Sequence, residues 1–139
     1  LEFTAKKKNI EFIVDKENEI ETNVNADKEK IEQVLTNLID NSIKYGKDNG
    51  TTEVVIQNLN ENKIIVRVTD NGVGFEKENY TRIFERFFRI DKSGSRSAGG
   101  SGLGLSIVKH IIDSHDEKIY VESEYGVGSE FSFSLEKSK

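Results

Sequence analysis

The 139-residue chain contains no cysteine and no methionine. The first absence excludes disulfides and thiolate metal sites, and it fits a reducing compartment without establishing one. The second, in a chain that opens on Leu1, is what a piece cut from a longer polypeptide, or a processed product, would show. No apolar run approaches the roughly 18 to 20 residues of a membrane span. No signal peptide opens the chain, so a soluble fragment without direct membrane contact is expected. There is no tandem repeat, no low-complexity stretch and no linker, which points to a single domain over residues 1–139. A GxxxxGK[ST] loop is missing, and with it the P-loop class of phosphate binders. An excess of basic charge is missing too: the net charge of −5 argues against a surface that tracks nucleic-acid phosphates.

What remains is an ordinary globular composition, 35% hydrophobic and 32% charged, in a chain long enough to bury a sizeable core. Residues 8–14 and 20–24 read as short strands around a polar turn at Asp15-Lys16-Glu17-Asn18, although the first few residues fit the end of an upstream helix equally well. Asp27 suits an N-cap, and Ile31, Val34, Leu35, Leu38, Ile39 and Ile43 recur at helical spacing until Gly46. Residues 54–59 and 63–69 read as a hairpin over Asn60-Glu61-Asn62, and residues 118–123 and 130–135 as a second over Tyr125-Gly126-Val127-Gly128. Strands and helices mix without regular βαβ alternation. The expected fold is a two-layer α/β (α+β) sandwich: one mixed, mostly antiparallel sheet covered on one face by helices.

Two glycine-rich turns stand out, Asp70-Asn71-Gly72-Val73-Gly74 and Gly99-Gly100-Ser101-Gly102-Leu103-Gly104-Leu105. Such turns admit a ligand to the backbone and supply positive φ where the chain doubles back. The second runs straight into a segment with apolar residues at 107, 108, 111 and 112, so the amides and positive dipole end of that helix would face whatever the glycines cradle. An anion suits that place. Between Arg82 and Arg96 five basic residues (Arg82, Arg86, Arg89, Lys92, Arg96) stand against Glu85 and Asp91, a local balance of +3 that a triphosphate would satisfy.

On a helical wheel Asn37, Asn41 and Lys44 fall within a wedge of about 60° beside the apolar face, with Tyr45 next to them. Carboxamide oxygens can share a magnesium ion with phosphates, and an ammonium can neutralise the remaining charge. On spacing alone, the same residues serve as a solvated helix face. Asp70 ends a strand beside Gly72 and Gly74, where a carboxylate can accept a hydrogen bond from an exocyclic amine; Asp-Asn-Gly is equally a common turn. A lone GxGxG at Gly100, Gly102 and Gly104 is weak, and the dinucleotide-fold context it would need is absent.

Together these segments resemble the catalytic ATP-binding domain of bacterial sensor histidine kinases, within the superfamily that includes type II topoisomerases, mismatch-repair ATPases and heat-shock chaperones. Four blocks match in order. Gln33 to Tyr45 resembles the asparagine box and Asp70 to Phe75 the first glycine box; Ile83-Phe84-Glu85-Arg86-Phe87-Phe88-Arg89 resembles the phenylalanine box and Gly99 to Leu105 the second glycine box. The resemblance implies a Bergerat-type fold with a mobile lid over residues 84–101, and Mg2+ and ATP as cofactors. Asn41 would hold the metal, with Asn37 and Lys44 near the phosphates and Tyr45 packed near the nucleotide. Asp70, with Gly72 and Gly74, would receive the adenine, and Ser129 would complete that side. Phe84 and Phe87 would anchor the lid, besides packing in the core. Arg89 would reach the γ-phosphate, unless it and Arg86 serve only lid solubility. Gly100, Ser101, Gly102, Leu103, Gly104 and Leu105 would line the phosphates.

The resemblance also bears on mechanism. Relatives that hydrolyse ATP with their own base carry a glutamate four residues before the magnesium asparagine; here that position is Asn37. A carboxamide takes up no proton at neutral pH, so transfer to an outside nucleophile is expected instead. The implied acceptor is a histidine on a separate dimerisation domain, and the implied downstream partner is a response regulator. The fragment alone is expected to be monomeric, the cytoplasmic part of a membrane-anchored sensor. His110 and His115 lack the acid-bearing acceptor motif; His110 should face solvent, and His115 should sit at a helix end. Asp116-Glu117 departs from the two glycines common in the family, which leaves that turn open. A serine kinase or other ATPase of the superfamily would show glutamate at position 37, and a silent nucleotide-binding scaffold would not need Asn41, Asp70 and the second glycine turn.

Overall fold

The computed structural model describes residues 11–16 (main chain), 24, 26–85 and 104–137. The elements in chain order are β1 (Glu11–Lys16), α1 (Lys28–Lys44), β2 (Thr51–Asn58), β3 (Lys63–Asp70), a short 3-10 turn (Lys77–Asn79), α2 (Gly104–Ser114), β4 (Ile119–Glu124) and β5 (Gly128–Glu136). The strands form one five-stranded sheet in the order β1-β2-β3-β5-β4. Only β1 and β2 run parallel; the other pairs are antiparallel. This is the expected mixed sheet with helices on one face.

Period-two alternation decides which side of the sheet is covered. Val54, Val68, Phe131 and Val121 stand opposite one another across four strands. With Ile64, Val66, Phe133 and Leu135 they meet Val34 and Leu38 of α1 and Val108, Ile111 and Ile112 of α2 in a single core. The intervening residues point to the other face and are mostly polar, with Val55, Ile65 and Tyr120 as exceptions. Arg67 donates to Gln57 at 3.0 Å and to Glu130 at 2.8 Å, while Thr69 donates to Glu130.

Helix α1 begins where Asp27, in extended conformation, accepts the Lys30 amide, satisfying one of the orphan N–H groups of the first turn. It ends at Lys44, with Tyr45 N–H donating to Asn41 O at 3.1 Å. Gly46 follows, but it is absent from the positive-φ glycines, so it is not a left-handed cap. A Cβ on Gly72 would come within 2.8 Å of Gly46 Cα, so the two main chains pass close together. His115 ties the two helices at their far ends. Its Nε2 accepts the Asp27 N–H at 3.1 Å, and its Nδ1 lies 2.9 Å from Ile111 O, which requires the neutral tautomer with the proton on Nδ1. His110 is exposed, as expected.

One expectation changes. Asp15 and Lys16, expected in a turn, both pair with β2, opposite Val55 and Ile56; ladder hydrogen bonds outweigh their poor strand preference. The parallel β1 and β2 flank α1 as a single βαβ unit, in keeping with the lack of regular alternation. Of the strand expected at 20–24 only Val24 is described, in an isolated bridge to Lys137; residues 8–10 and 17–23 lie outside the described residues.

The Asp116-Glu117 turn resolves clearly. Asp116 takes the left-handed conformation, φ 56°, and the Glu117 amide returns to Ile112 O at 3.1 Å, the pairing of a helix C-terminus that usually employs glycine. Glu117 is buried and accepts from both Lys63 Nζ (2.8 Å) and Ser134 Oγ (2.7 Å), so it fastens the end of α2 to the sheet. The bond to Glu117 also raises the Lys63 ammonium above its ordinary pKa. Asp116→Gly is therefore expected to stabilise the chain by roughly 0.5–1 kcal/mol, since the left-handed conformation costs glycine nothing. A chemical-denaturation midpoint that stays put or falls would contradict this.

Candidate functional site

At one end of the helix-covered face the apolar rows of the sheet give way to a polar rung. Thr52, Asp70, Ser129 and Ser123 lie opposite one another on β2, β3, β5 and β4. Thr52 is satisfied by Ser42 of α1 (2.8 Å), and the Ser129 and Ser123 hydroxyls are 2.8 Å apart. Among the described residues Asp70 forms no ion pair. It is 8% exposed and accepts the Gly72 N–H at 2.9 Å. Burial pushes its carboxyl up to about 6, while the N–H groups of Gly72 and Ser129 hold it partly down. A buried carboxylate supported only by amides is an acceptor in want of a donor.

The glycine turn after Asp70 is shaped by close approach. A Cβ on Gly72 would overlap the Tyr45 carbonyl oxygen, and one on Gly74 would overlap Glu124 O. Gly74 has φ 65°, so a positive φ is needed as well. Val73 N–H donates to Tyr45 O at 3.1 Å, and Asn71 Oδ1 accepts the Thr51 amide at 2.8 Å. The turn is thus pinned to the last residues of α1 and the start of β2. Gly128, φ 150°, presses on the Asp70 carbonyl from the other side.

This packing brings the asparagine face of α1 to the same end. Asn37 and Asn41 are half-buried, and Asn37 Nδ2 donates to Gly104 O at 3.4 Å. The first residue of α2 is thereby placed beside α1. A Cβ on Gly104 would meet none of the described residues within 4 Å, so packing against them does not demand glycine there. Lys44 is bound to Asp40 at 2.9 Å, and Tyr45 is half-buried at the helix end. Phe84 packs edge-on against Phe131, ring centres 6.1 Å apart, so core packing accounts for its position. Leu105 is half-buried on α2.

Of the residues named from sequence, the structure joins Asn37 to Gly104 and, separately, brings together Tyr45, Gly72, Asp70 and Ser129, with Gly74 in the same turn. Arg86, Phe87, Arg89, Gly100, Ser101, Gly102 and Leu103 lie outside the described residues, as do Lys92 and Arg96. Arg82 is described and lies 3.6 Å from Glu85, both more than half exposed. Sequence reasoning missed Ser123, Gly128 and Tyr80. The first two could have been found from the second hairpin, whose turn places residue 123 opposite 129. Tyr80 carries no sequence signal.

The family of histidine kinase-, DNA gyrase B- and HSP90-like ATPases matches residues 26–139. The chain belongs to this family. Among curated relatives it is 44% identical over 101 residues to the sensor-like histidine kinase SenX3 of Mycolicibacterium smegmatis, covering 73% of this chain and 26% of that protein. It is 38% identical over 113 residues to the sensor histidine kinase WalK of Bacillus subtilis, covering 81% of this chain and 18% of that one. The chain therefore spans about a quarter or less of these relatives' length. In structure it resembles the nucleotide-free catalytic domain of histidine kinase ThkA, with TM-score 0.80, 34% identity, and coverage of 99% of this chain and 87% of that one. It also resembles full-length ShkA in complex with AMPPNP, with TM-score 0.83, 27% identity, and coverage of 97% and 27%. ThkA has further been solved with the response regulator TrrA (TM-score 0.77, 33% identity, coverage of 99% and 37%). Among the described residues no helix is long and apolar enough to cross a membrane.

The burial of Asp70 has a thermodynamic consequence. Its carboxyl binds a proton more tightly in the folded chain, so the stability contributed by protonated Asp70 is complete below about pH 3.8 and is lost as pH rises through about 6. That is up to about 3 kcal/mol at 1.36 kcal/mol per pH unit. Asp70→Asn, which keeps an oxygen for the Gly72 amide, is expected to raise stability at pH 7 by about 1–2 kcal/mol. The gain over wild type should vanish by pH 4. Denaturation midpoints of both proteins from pH 4 to 8 check this, and parallel pH profiles would refute it.

Proposed function

We propose that this chain is the catalytic domain of a two-component sensor kinase, binding Mg-ATP and presenting the γ-phosphate to a histidine on a separate helical domain. The observation that carries the proposal is the buried, unpaired Asp70 at the foot of a glycine turn, facing the same end of the molecule as the asparagine face of α1 and the start of α2. An adenine exocyclic amine is a donor of the kind such a carboxylate lacks. Two structural neighbours fit: ShkA was solved with AMPPNP and ThkA with a response regulator.

In this reading Asp70, Gly72, Gly74 and Ser129 form the adenine side, with Tyr45 and Phe84 beside the nucleotide. Gly100, Ser101, Gly102, Leu103, Gly104 and Leu105 lend the phosphate side their main-chain groups. Asn41 offers a magnesium ion a neutral hard oxygen. The described residues hold no group of three His, Cys, Asp or Glu side chains suited to a metal. A single carboxamide suits an ion that keeps most of its ligands as phosphate oxygens and water. When bound, the ion would neutralise phosphate charge. Asn37 and Lys44 sit within one wedge of the same helix and orient the phosphates, and Arg89 serves the γ-phosphate during transfer. No carboxylate stands at position 37 to activate water, so catalysis rests on positioning and charge neutralisation, and the imidazole of the acceptor is the nucleophile. The response regulator then receives the phosphoryl group.

Calorimetric titration of ATP and ADP with and without magnesium tests the reading. Wild type is expected to bind both nucleotides in the micromolar range, and Asp70→Asn to bind about tenfold or more weakly although it is the more stable protein. Opposite movements of stability and affinity cannot come from a folding defect. If wild type bound neither nucleotide, the assignment would be wrong.

A further inference from the structure

Among the described residues strand β4 is an edge of the sheet, paired on one side with β5. In an antiparallel ladder a residue's N–H and C=O point the same way, and those at alternate positions are left without a strand partner at an edge. Ser123 is such a residue. Its outward groups are not left to solvent: the Tyr80 hydroxyl accepts the Ser123 N–H and donates to the Ser123 carbonyl, both at 2.6 Å. One phenol oxygen thus stands in for a missing strand. The Tyr80 ring is fixed in turn, edge-on against Phe75 at 5.6 Å.

Ser123 passes this constraint inward. Its hydroxyl accepts the Phe75 amide at 2.8 Å, one residue beyond the glycine turn, and lies 3.0 Å from Gly128 O and 2.8 Å from Ser129 Oγ. A serine hydroxyl has one proton to give. With that proton on Gly128 O, the Ser129 hydroxyl donates to Ser123 Oγ and turns its lone pairs away from Ser123. Ser129 lies opposite Asp70. A continuous set of hydrogen bonds therefore runs from Tyr80 through Ser123 to the residues flanking Asp70.

We infer that Tyr80 is a positioning residue for the adenine-recognising wall, acting through Ser123 on Ser129, Gly128 and the Phe75 main chain. The inference rests on the nucleotide-binding reading above. Its effect falls on recognition of the base, because every group in the chain of bonds lies on the Asp70 side and none reaches Asn37, Asn41 or Gly104.

Tyr80→Phe keeps the ring and deletes only the hydroxyl. The experiment is titration of ATP and of GTP into wild type and variant, with amide exchange followed at Ser123. Guanine offers a carbonyl where adenine carries its amine, so the ATP-to-GTP affinity ratio reports the placement of the wall. In Tyr80→Phe this ratio is expected to fall roughly 5- to 20-fold, the range of one or two hydrogen bonds. Weak GTP binding should hold steady and the Ser123 amide should lose its protection. Ser123→Ala, which leaves the main-chain bonds to Tyr80 but removes the inward link, should lower the ratio likewise. Tyr125→Phe, at a residue 72% exposed, should not. An unchanged ratio in Tyr80→Phe, or an equal loss for both nucleotides, overturns the inference. A wild type that does not prefer ATP overturns the nucleotide reading itself.

Discussion

The contact on which the rest of the molecule depends is the seating of the Asp70–Gly74 turn on the last carbonyl of α1. There is no room at Gly72 for any side chain, because the Tyr45 oxygen and Gly46 Cα occupy that space. The Val73 N–H bonds the same oxygen, so the approach satisfies a helix-end carbonyl that would otherwise need water. Asn71 then holds the start of β2. A single tight turn thereby sets the end of the central strand, the end of the asparagine helix and the beginning of the neighbouring strand in fixed relation. Glycine at position 72 is needed because two main chains touch, and at 74 because the chain reverses with positive φ.

The sheet that emerges has two kinds of rung. Most of its covered face is hydrocarbon, and the contacts of Val54, Val68, Phe131 and their helical partners supply the cohesion. The last rung is hydroxyls and one carboxylate. Burying Asp70 without a cation opposes folding, yet the strain is local and the core beneath it is continuous. Sites that bind polar ligands commonly carry such a liability, since an acceptor already satisfied by the protein has nothing to offer a ligand.

How much of this could be read beforehand depended on the range of the interaction involved. Helix α1 was legible because its apolar period and its Asp27 cap are local signals, and both hairpins because β-branched runs flank obvious turns. The reach of β1 through Asp15 and Lys16 was not, because it is set by parallel pairing to a strand some forty residues on. The site was legible as a set of residue types: carboxamides at helical spacing and an aspartate before glycines. Its geometry was not. That Gly72 serves close approach to the end of α1, that Asp116 accepts the left-handed conformation, and that Tyr80 closes the edge of β4 all follow from segments distant in sequence meeting in space. Periodicity carries no information about such meetings.

His115 offers a last illustration. One of its nitrogens gives its proton to the Ile111 carbonyl and the other spends its lone pair on the Asp27 amide. A ring with both nitrogens so engaged is a clasp between two helices. Of the chain's two histidines, only the exposed His110 is open to reagents that modify imidazole, so labelling of histidine in this chain reports on the outer surface of α2 and leaves the joint between the helices unmarked.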